Sequence, residues 1–215
     1  MHYEGNIFRP PSEANSILLQ VTTGCSHNKC TFCGMYKQQK FTIKDESILL
    51  QDILFAAQHF RDQRRLFLCD GDTLSISQQR LVKILKLIKQ HLPWIERVGI
   101  YANTKSIYNK SVEQLTELHS LGLKIAYMGL ESGDNQTLAA INKGSDAQRM
   151  IDMGCKIRSA GIAVSVTVLL GIAGKSRSDI HARETGRVLS AIDPEYVGAL
   201  SLMLVPGTPL HTDYE

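Results

Sequence analysis

Cys25, Cys30 and Cys33 are the residues of this chain whose types and spacing most directly imply chemistry. They stand in the segment TTGCSHNKCTFCGMYK at C-x4-C-x2-C spacing, directly after the apolar run Ile17–Thr22. Thiolates this close together serve as metal ligands, and three is one short of the set that closes an ordinary iron–sulfur or structural zinc site. A metal centre held by three cysteines keeps one coordination position open for a small molecule. Zinc with His27 as fourth ligand is the alternative, and would make the chain a zinc-stabilised, non-catalytic binding module. Structural zinc, however, usually draws on two separated ligand pairs. A third reading is an iron–sulfur protein that only transfers electrons.

Further polar residues stand just past later apolar runs. Cys69-Asp70-Gly71-Asp72-Thr73 offers carboxylates and turn carbonyls suited to a cation, although Asp and Gly also make ordinary turns and caps. Asn103 follows another run, where a helix N-cap is equally consistent. Glu131 and Ser132 lie past a fourth, with Lys143 beyond, and LLGIAGK places Gly171 and Gly174 after a fifth. Cys69 and Cys155 read as small buried hydrophobes. The histidines show no H-x3-H spacing, and His59, His91, His119 and His181 read as solvated or edge residues of helices. Lys29, Lys37, Lys40 and Lys44 give the cysteine loop a basic rim, either a solvated face or an attraction for an acidic reductase or anionic substrate.

Periodicity predicts the elements that position these residues. Six strands are expected at Ile17–Thr22, Arg65–Cys69, Val98–Tyr101, Ile125–Leu130, Val164–Leu170 and Val197–Leu204, mostly continuous apolar runs as in parallel strands covered on both faces. Helical spacing runs through Ile48–Phe60, Leu81–Ile88 and Val112–Leu118. A fourth helix is capped by Ser145 and stops at Gly161, and a fifth ends before Asp193-Pro194. The alternation predicts an α/β fold, and six units fall short of the ~250 residues of an eight-unit barrel. The expected architecture is a partial (β/α)6 TIM-like barrel of parallel strands with outer helices, or else a doubly wound sheet. In both, ligand sites form at the C-terminal strand ends, where the cysteines stand.

Composition excludes several classes. A net charge of +3, from 24 basic and 21 acidic residues, gives no large nucleic-acid footprint. No apolar run approaches the ~20 residues of a membrane span, and MHYEGNIFRPPSEANS lacks the apolar core of a secretory signal. Five cysteines, an odd number, argue against a disulfide framework and for a cytoplasmic, reducing location. Residues 1–15 read as an N-terminal extension and 16–215 as one core domain, without the helix expected after the sixth strand.

The cysteine segment resembles the signature of the radical S-adenosylmethionine (SAM) superfamily, C-x3-C-x-Φ-C with Φ aromatic. Phe32 takes the Φ position, and the first gap is one residue longer here. YMGLESGDNQTLAAINKG and PGTPL are similar to further segments of the branch with coproporphyrinogen oxidase-like, Elongator-like and methylthiotransferase-like cores. The resemblance spans Ile17 to Leu210. It implies an oxygen-sensitive [4Fe–4S] cluster on Cys25, Cys30 and Cys33, with SAM chelating the fourth iron. It also implies reductive cleavage of SAM to a 5′-deoxyadenosyl radical that abstracts hydrogen from an unidentified substrate. The electron would come from a low-potential donor of flavodoxin or ferredoxin type. For the SAM site, it implies Asp70, Gly71 and Asp72 at the ammonium, Glu131 and Ser132 at the ribose hydroxyls, and Lys143 at the carboxylate. Gly171 would lie along the adenine and Phe32 in the SAM site. Related enzymes carry a glutamate for the ribose at the position of Tyr101, and Asn103 would serve in its stead.

Overall fold

A computed structural model describes residues 1–212; residues 213–215 of the expected core span lie outside the described residues. In chain order the elements are β1 (Ile17–Gln20), β2 (Thr22–Thr23), β3 (Thr42–Ile43), α1 (Glu46–His59), β4 (Arg65–Cys69), α2 (Gln78–His91), β5 (Arg97–Tyr101), α3 (Thr104–Tyr108) and α4 (Val112–Ser120). Then come β6 (Leu123–Glu131), α5 (Asn135–Ala140), α6 (Ala147–Ser159), β7 (Ala163–Leu170), α7 (Ser178–Ile192), β8 (Tyr196–Ser201) and α8 (Pro209–Thr212). Six strands form one parallel sheet in the order β1-β4-β5-β6-β7-β8, with β2 and β3 a separate antiparallel pair. Neighbours follow chain order without reversal. A doubly wound sheet needs a reversal at a switch point, so the fold is the partial barrel, with its helices on one face.

Alternate strand residues divide between the two faces. Leu19, Leu66, Leu68, Ile100, Met128 and Val166 point outward and share one core with Ile53, Leu85, Leu115, Met150 and Val188 of the helices. Each such buried side chain contributes about 1.5–3 kcal/mol of transfer free energy. On the concave face Phe67, Cys69, Ile125 and Tyr127 form a smaller cluster, with the Phe67 ring edge-on to Tyr101 at 4.9 Å.

The first residues line this concave face. The Tyr3 hydroxyl donates to Leu18 O at 2.8 Å, and Glu4 N–H donates to Gln20 Oε1 at 2.9 Å. The Phe8 ring meets Tyr36 edge-on at 5.2 Å. Fully buried Glu13 accepts from Arg97 at 2.7 Å and also from Tyr127 and Ser16.

Several expected boundaries move for local reasons. β1 stops at Gln20 because Val21 bonds outward to Cys69 O and Lys44 N–H, which turns the chain into the β2–β3 pair. Asp146, not Ser145, caps α6, accepting from Arg149 N–H at 2.8 Å. β8 begins at Tyr196 and ends at Ser201. Short α3 and α5 are too brief to show a period, and the four-residue α8 stands after the sixth strand, where the sequence shows no helical pattern.

Candidate functional site

The cysteine loop leaves β2 at the C-terminal edge of the sheet and returns at β3. Its neck is narrow: Gly24 has φ +66°, and an added Cβ would stand 2.8 Å from Gln39 O. Thr31 N–H donates to Ile141 O at 2.9 Å, and Leu210 N–H donates to Thr31 O at 3.0 Å. The loop is thus tied to the end of α5 and to the PGTPL segment. Cys25, Cys30 and Cys33 are partly exposed free thiols. Burial pushes the Cys30 and Cys33 thiols up, and the Lys143 charge opposes this at both.

The zinc alternative is not supported by this geometry. Among the described residues no three His, Cys, Asp or Glu side chains converge on a point that one metal ion could occupy. His27 Nε2 instead lies 2.9 Å from Asn142 O, its ring packed over Gly144, where a Cβ would stand 2.6 Å from Cε1. Three cysteine thiols on one loop are a donor set of the kind that holds an iron–sulfur cluster with one iron left open to a further ligand.

The acidic turn after β4 divides into two roles. Asp70, expected to meet the SAM ammonium, is fully buried and saturated. It accepts from Gln20 Nε2 at 2.7 Å, from the Tyr36 hydroxyl at 3.2 Å and from Phe8 N–H, bracing β1, the cysteine loop and the N-terminal segment. Gly71 is required by packing: a Cβ would stand 2.8 Å from Tyr36 Cε2 and 2.9 Å from Cys25 Cβ. Asp72 differs. Its Oδ2 accepts from Ser26 and, at 2.7 Å, from Asn103 Nδ2, while its Oδ1 is buried without a partner. Burial pushes its pKa up to about 6. A buried carboxylate oxygen with no donor fits an ammonium ligand such as that of SAM. Asn103 caps α3 by accepting from Ser106 N–H at 2.9 Å, so its amide is engaged at both ends and is not left for a ribose.

Glu131 ends β6 with φ +63° at a β-bulge. Its Oε1 accepts from Lys143 Nζ at 2.9 Å, and both groups are largely buried. The pair lies over Gly129, where a Cβ would overlap the Glu131 carboxylate and stand 3.0 Å from Lys143 Nζ. Burial disfavours the Lys143 charge, but Glu131 and the cysteine thiols outweigh it and raise the pKa.

Other expected contacts are placed elsewhere. The Phe32 ring packs on the apolar cluster of Leu138, Ile141, Leu169 and Ile172. Ser132 is fully buried with its hydroxyl 2.8 Å from His181 Nδ1 and accepting from Asp134 N–H, so it does not assist Glu131. His181 is therefore a buried residue rather than a solvated one. Lys44 is likewise buried, bonded to His2 O and 3.7 Å from Glu4, and leaves the basic rim to Lys29, Lys37 and Lys40. Gly171 has φ +89° and nothing nearer to an added Cβ than Leu202 Cβ at 3.9 Å, so its backbone is approachable. No sequence signal marks Ser26, Tyr36 or Gly129, whose roles depend on residues far away in the chain.

Comparison with known proteins bears on the fold and the family. A 4′-phospho-dehydrooxetanocin synthase of Priestia megaterium is 23% identical over 173 residues, which cover 72% of this chain and 23% of that protein. A biotin synthase of Alkalilimnicola ehrlichii is 24% identical over 207 residues, covering 95% and 60%. This chain thus spans less than two thirds of the length of these relatives. Among solved structures, the radical SAM methyltransferase TsrM of Kitasatospora setae, with cobalamin and a [4Fe–4S] cluster bound, superposes with a TM-score of 0.74. It is 18% identical, over 92% of this chain and 39% of that one. Coproporphyrinogen III oxidase of Escherichia coli gives 0.64 at 12% identity, over 89% and 44%. Residues 19–183 match the Radical SAM superfamily, and the chain belongs to it.

Proposed function

We propose that Cys25, Cys30 and Cys33 hold a [4Fe–4S] cluster and that the chain reductively cleaves SAM bound beside it. A bound cluster and SAM together supply a 5′-deoxyadenosyl radical able to abstract hydrogen from a substrate. The observation that carries this reading is the meeting of three sequence-distant features at one sheet edge. These are the free thiols, the unpartnered Asp72 Oδ1, and the Glu131–Lys143 pair whose cation acts on Cys25 and Cys30. Asp72 binds the ammonium of SAM, and the Glu131 carboxylate accepts from its ribose hydroxyls. Lys143 holds its carboxylate as a point charge, without the fork of an arginine. The Gly171 backbone lies along its adenine. The exposed Lys29 and Lys40 favour an acidic, low-potential donor of flavodoxin or ferredoxin type. A reducing, cytoplasmic setting suits these thiols; among the described residues no helix is long and apolar enough to cross a membrane.

Anaerobic reconstitution tests this. The expected product is a brown protein absorbing broadly near ~400 nm that forms 5′-deoxyadenosine from SAM and dithionite. A protein that binds zinc but no iron and sulfide defeats the cluster assignment. One that carries the cluster yet never cleaves SAM is an electron carrier instead.

A further inference from the structure

The residues between Cys25 and Cys30 reach out of their loop in three directions. Ser26 donates to Asp72 Oδ2, Asn28 takes φ +43° and donates from Nδ2 to Tyr36 O at 2.7 Å, and His27 Nε2 lies 2.9 Å from Asn142 O. A carbonyl oxygen can only accept, so Nε2 carries the proton in that last contact. The His27 ring also lies over Gly144, which has φ +72° and whose added Cβ would stand 2.6 Å from Cε1. His27 thus touches the residues on both sides of Lys143. Asn142 is itself left-handed at φ +54°, and one residue earlier Ile141 O accepts from Thr31 N–H at 2.9 Å. The turn that ends α5 is therefore bonded twice to the cysteine loop just ahead of Lys143, whose Nζ reaches Glu131 Oε1 at 2.9 Å. The His27 contact joins positions 115 apart and faces solvent. Its loss leaves no buried polar group unmatched, so it adds little to folding. What it fixes is where the Lys143 backbone stands relative to the thiols.

We propose that His27 is a positioning residue for Lys143: it braces the Asn142–Gly144 turn against the cysteine loop and so sets the ammonium that meets the SAM carboxylate. The role toward SAM rests on the function proposed above; the brace itself does not. A lysine at this place has reason to need one. Its stem is flexible and its ammonium a point charge, so the backbone beneath must supply the placement that an arginine fork would provide. The Thr31 bond fixes Ile141 alone, and two left-handed residues, Asn142 and Gly144, flank Lys143 beyond it. His27 is the side chain of the cysteine loop that holds both.

Two measurements on the full chain test this. In cluster-free protein, hydrogen–deuterium exchange of the peptide carrying Lys143, whose N–H donates to Leu138 O at 3.0 Å, reads the brace without iron or SAM. His27→Phe keeps a ring over Gly144 but loses the donor, and is expected to speed that exchange at least threefold, roughly what one lost hydrogen bond releases. His27→Gln, which keeps an N–H donor, should stay near wild type. Unchanged exchange in His27→Phe would overturn the brace. In reconstituted protein, equilibrium dialysis with radiolabelled SAM completes a double-mutant cycle with Lys143→Gln. His27→Phe should carry full iron and sulfide yet bind SAM about three- to tenfold more weakly, and should cost nothing further in the Lys143→Gln background. Unchanged affinity, additive losses, or loss of the cluster in His27→Phe would each overturn the assignment to Lys143. Wild-type protein that forms no cluster would defeat the function proposed above and with it the role toward SAM, leaving the exchange result to decide the brace.

Discussion

Glu131 Oε1 and Lys143 Nζ lie 2.9 Å apart across the backbone of Gly129, in space that any side chain at 129 would fill. The ion pair therefore depends on the absence of a single methyl group. Gly129→Ala is expected to displace it and weaken SAM binding about tenfold or more, since a largely buried pair tolerates little displacement. Anaerobic equilibrium dialysis with radiolabelled SAM reads this directly. Wild-type affinity in the variant would remove the pair from the SAM site.

Asp72 links the site to pH. Its carboxyl ionises near 3.8 when unfolded and at about 6 when folded, because burial disfavours the charge. Between those values the folded state binds more protons, so this group's contribution to stability falls as pH rises from about 4 to about 6. Asp72→Asn is expected to stabilise the cluster-free protein at pH 7 by roughly 2–3 kcal/mol as an upper figure, while weakening SAM binding. His181 runs the opposite way: burial lowers its pKa, so stability falls as pH drops below about 6.5. In the Asn variant that acid-side loss should stand out. Urea titrations across pH 4–8 would reveal it, and an Asn variant less stable than wild type at pH 7 would refute the burial account.

Gly71→Ala probes the cysteine loop. Its methyl would press on Tyr36 and on Cβ of Cys25. Iron and sulfide content after reconstitution should fall well below that of wild type, although no thiol has been removed. Full cluster content would show that the loop shifts without consequence.

Glu13 is a structural anchor at the far end of the concave face. Removing its carboxylate leaves the partly exposed Arg97 guanidinium and the buried Tyr127 hydroxyl unmatched, so Glu13→Ala should cost up to about 3–5 kcal/mol. Glu13→Gln should cost less, because its amide oxygen still accepts. A lower urea midpoint with an unchanged slope is the expected signature.

Much of the scaffold was legible because its signals are local. The apolar runs Arg65–Cys69 and Val164–Leu170 and the helical spacing through Leu81, Ile84, Leu85 and Ile88 reappear almost unaltered. The cysteine spacing named the superfamily for the same reason, as the three residues share one loop. Asp70 and Asp72 show where legibility ended. Two residues apart and alike in chemistry, they differ only in what folds against them. Gln20, Tyr36 and Phe8 saturate Asp70, while Asp72 keeps one oxygen free.

The amino-acid order alone thus determined the α/β alternation and the thiols that define the family, because periodicity and short-range spacing are properties of contiguous chain; the order of strands in the sheet decided for the partial barrel over a doubly wound sheet. Only the tertiary structure decided which polar groups are engaged and which are left for a ligand. Hydrogen-bond saturation depends on partners brought together from across the sequence. That is why Ser132 was withdrawn to His181 and Lys44 was drawn beneath the N-terminal segment.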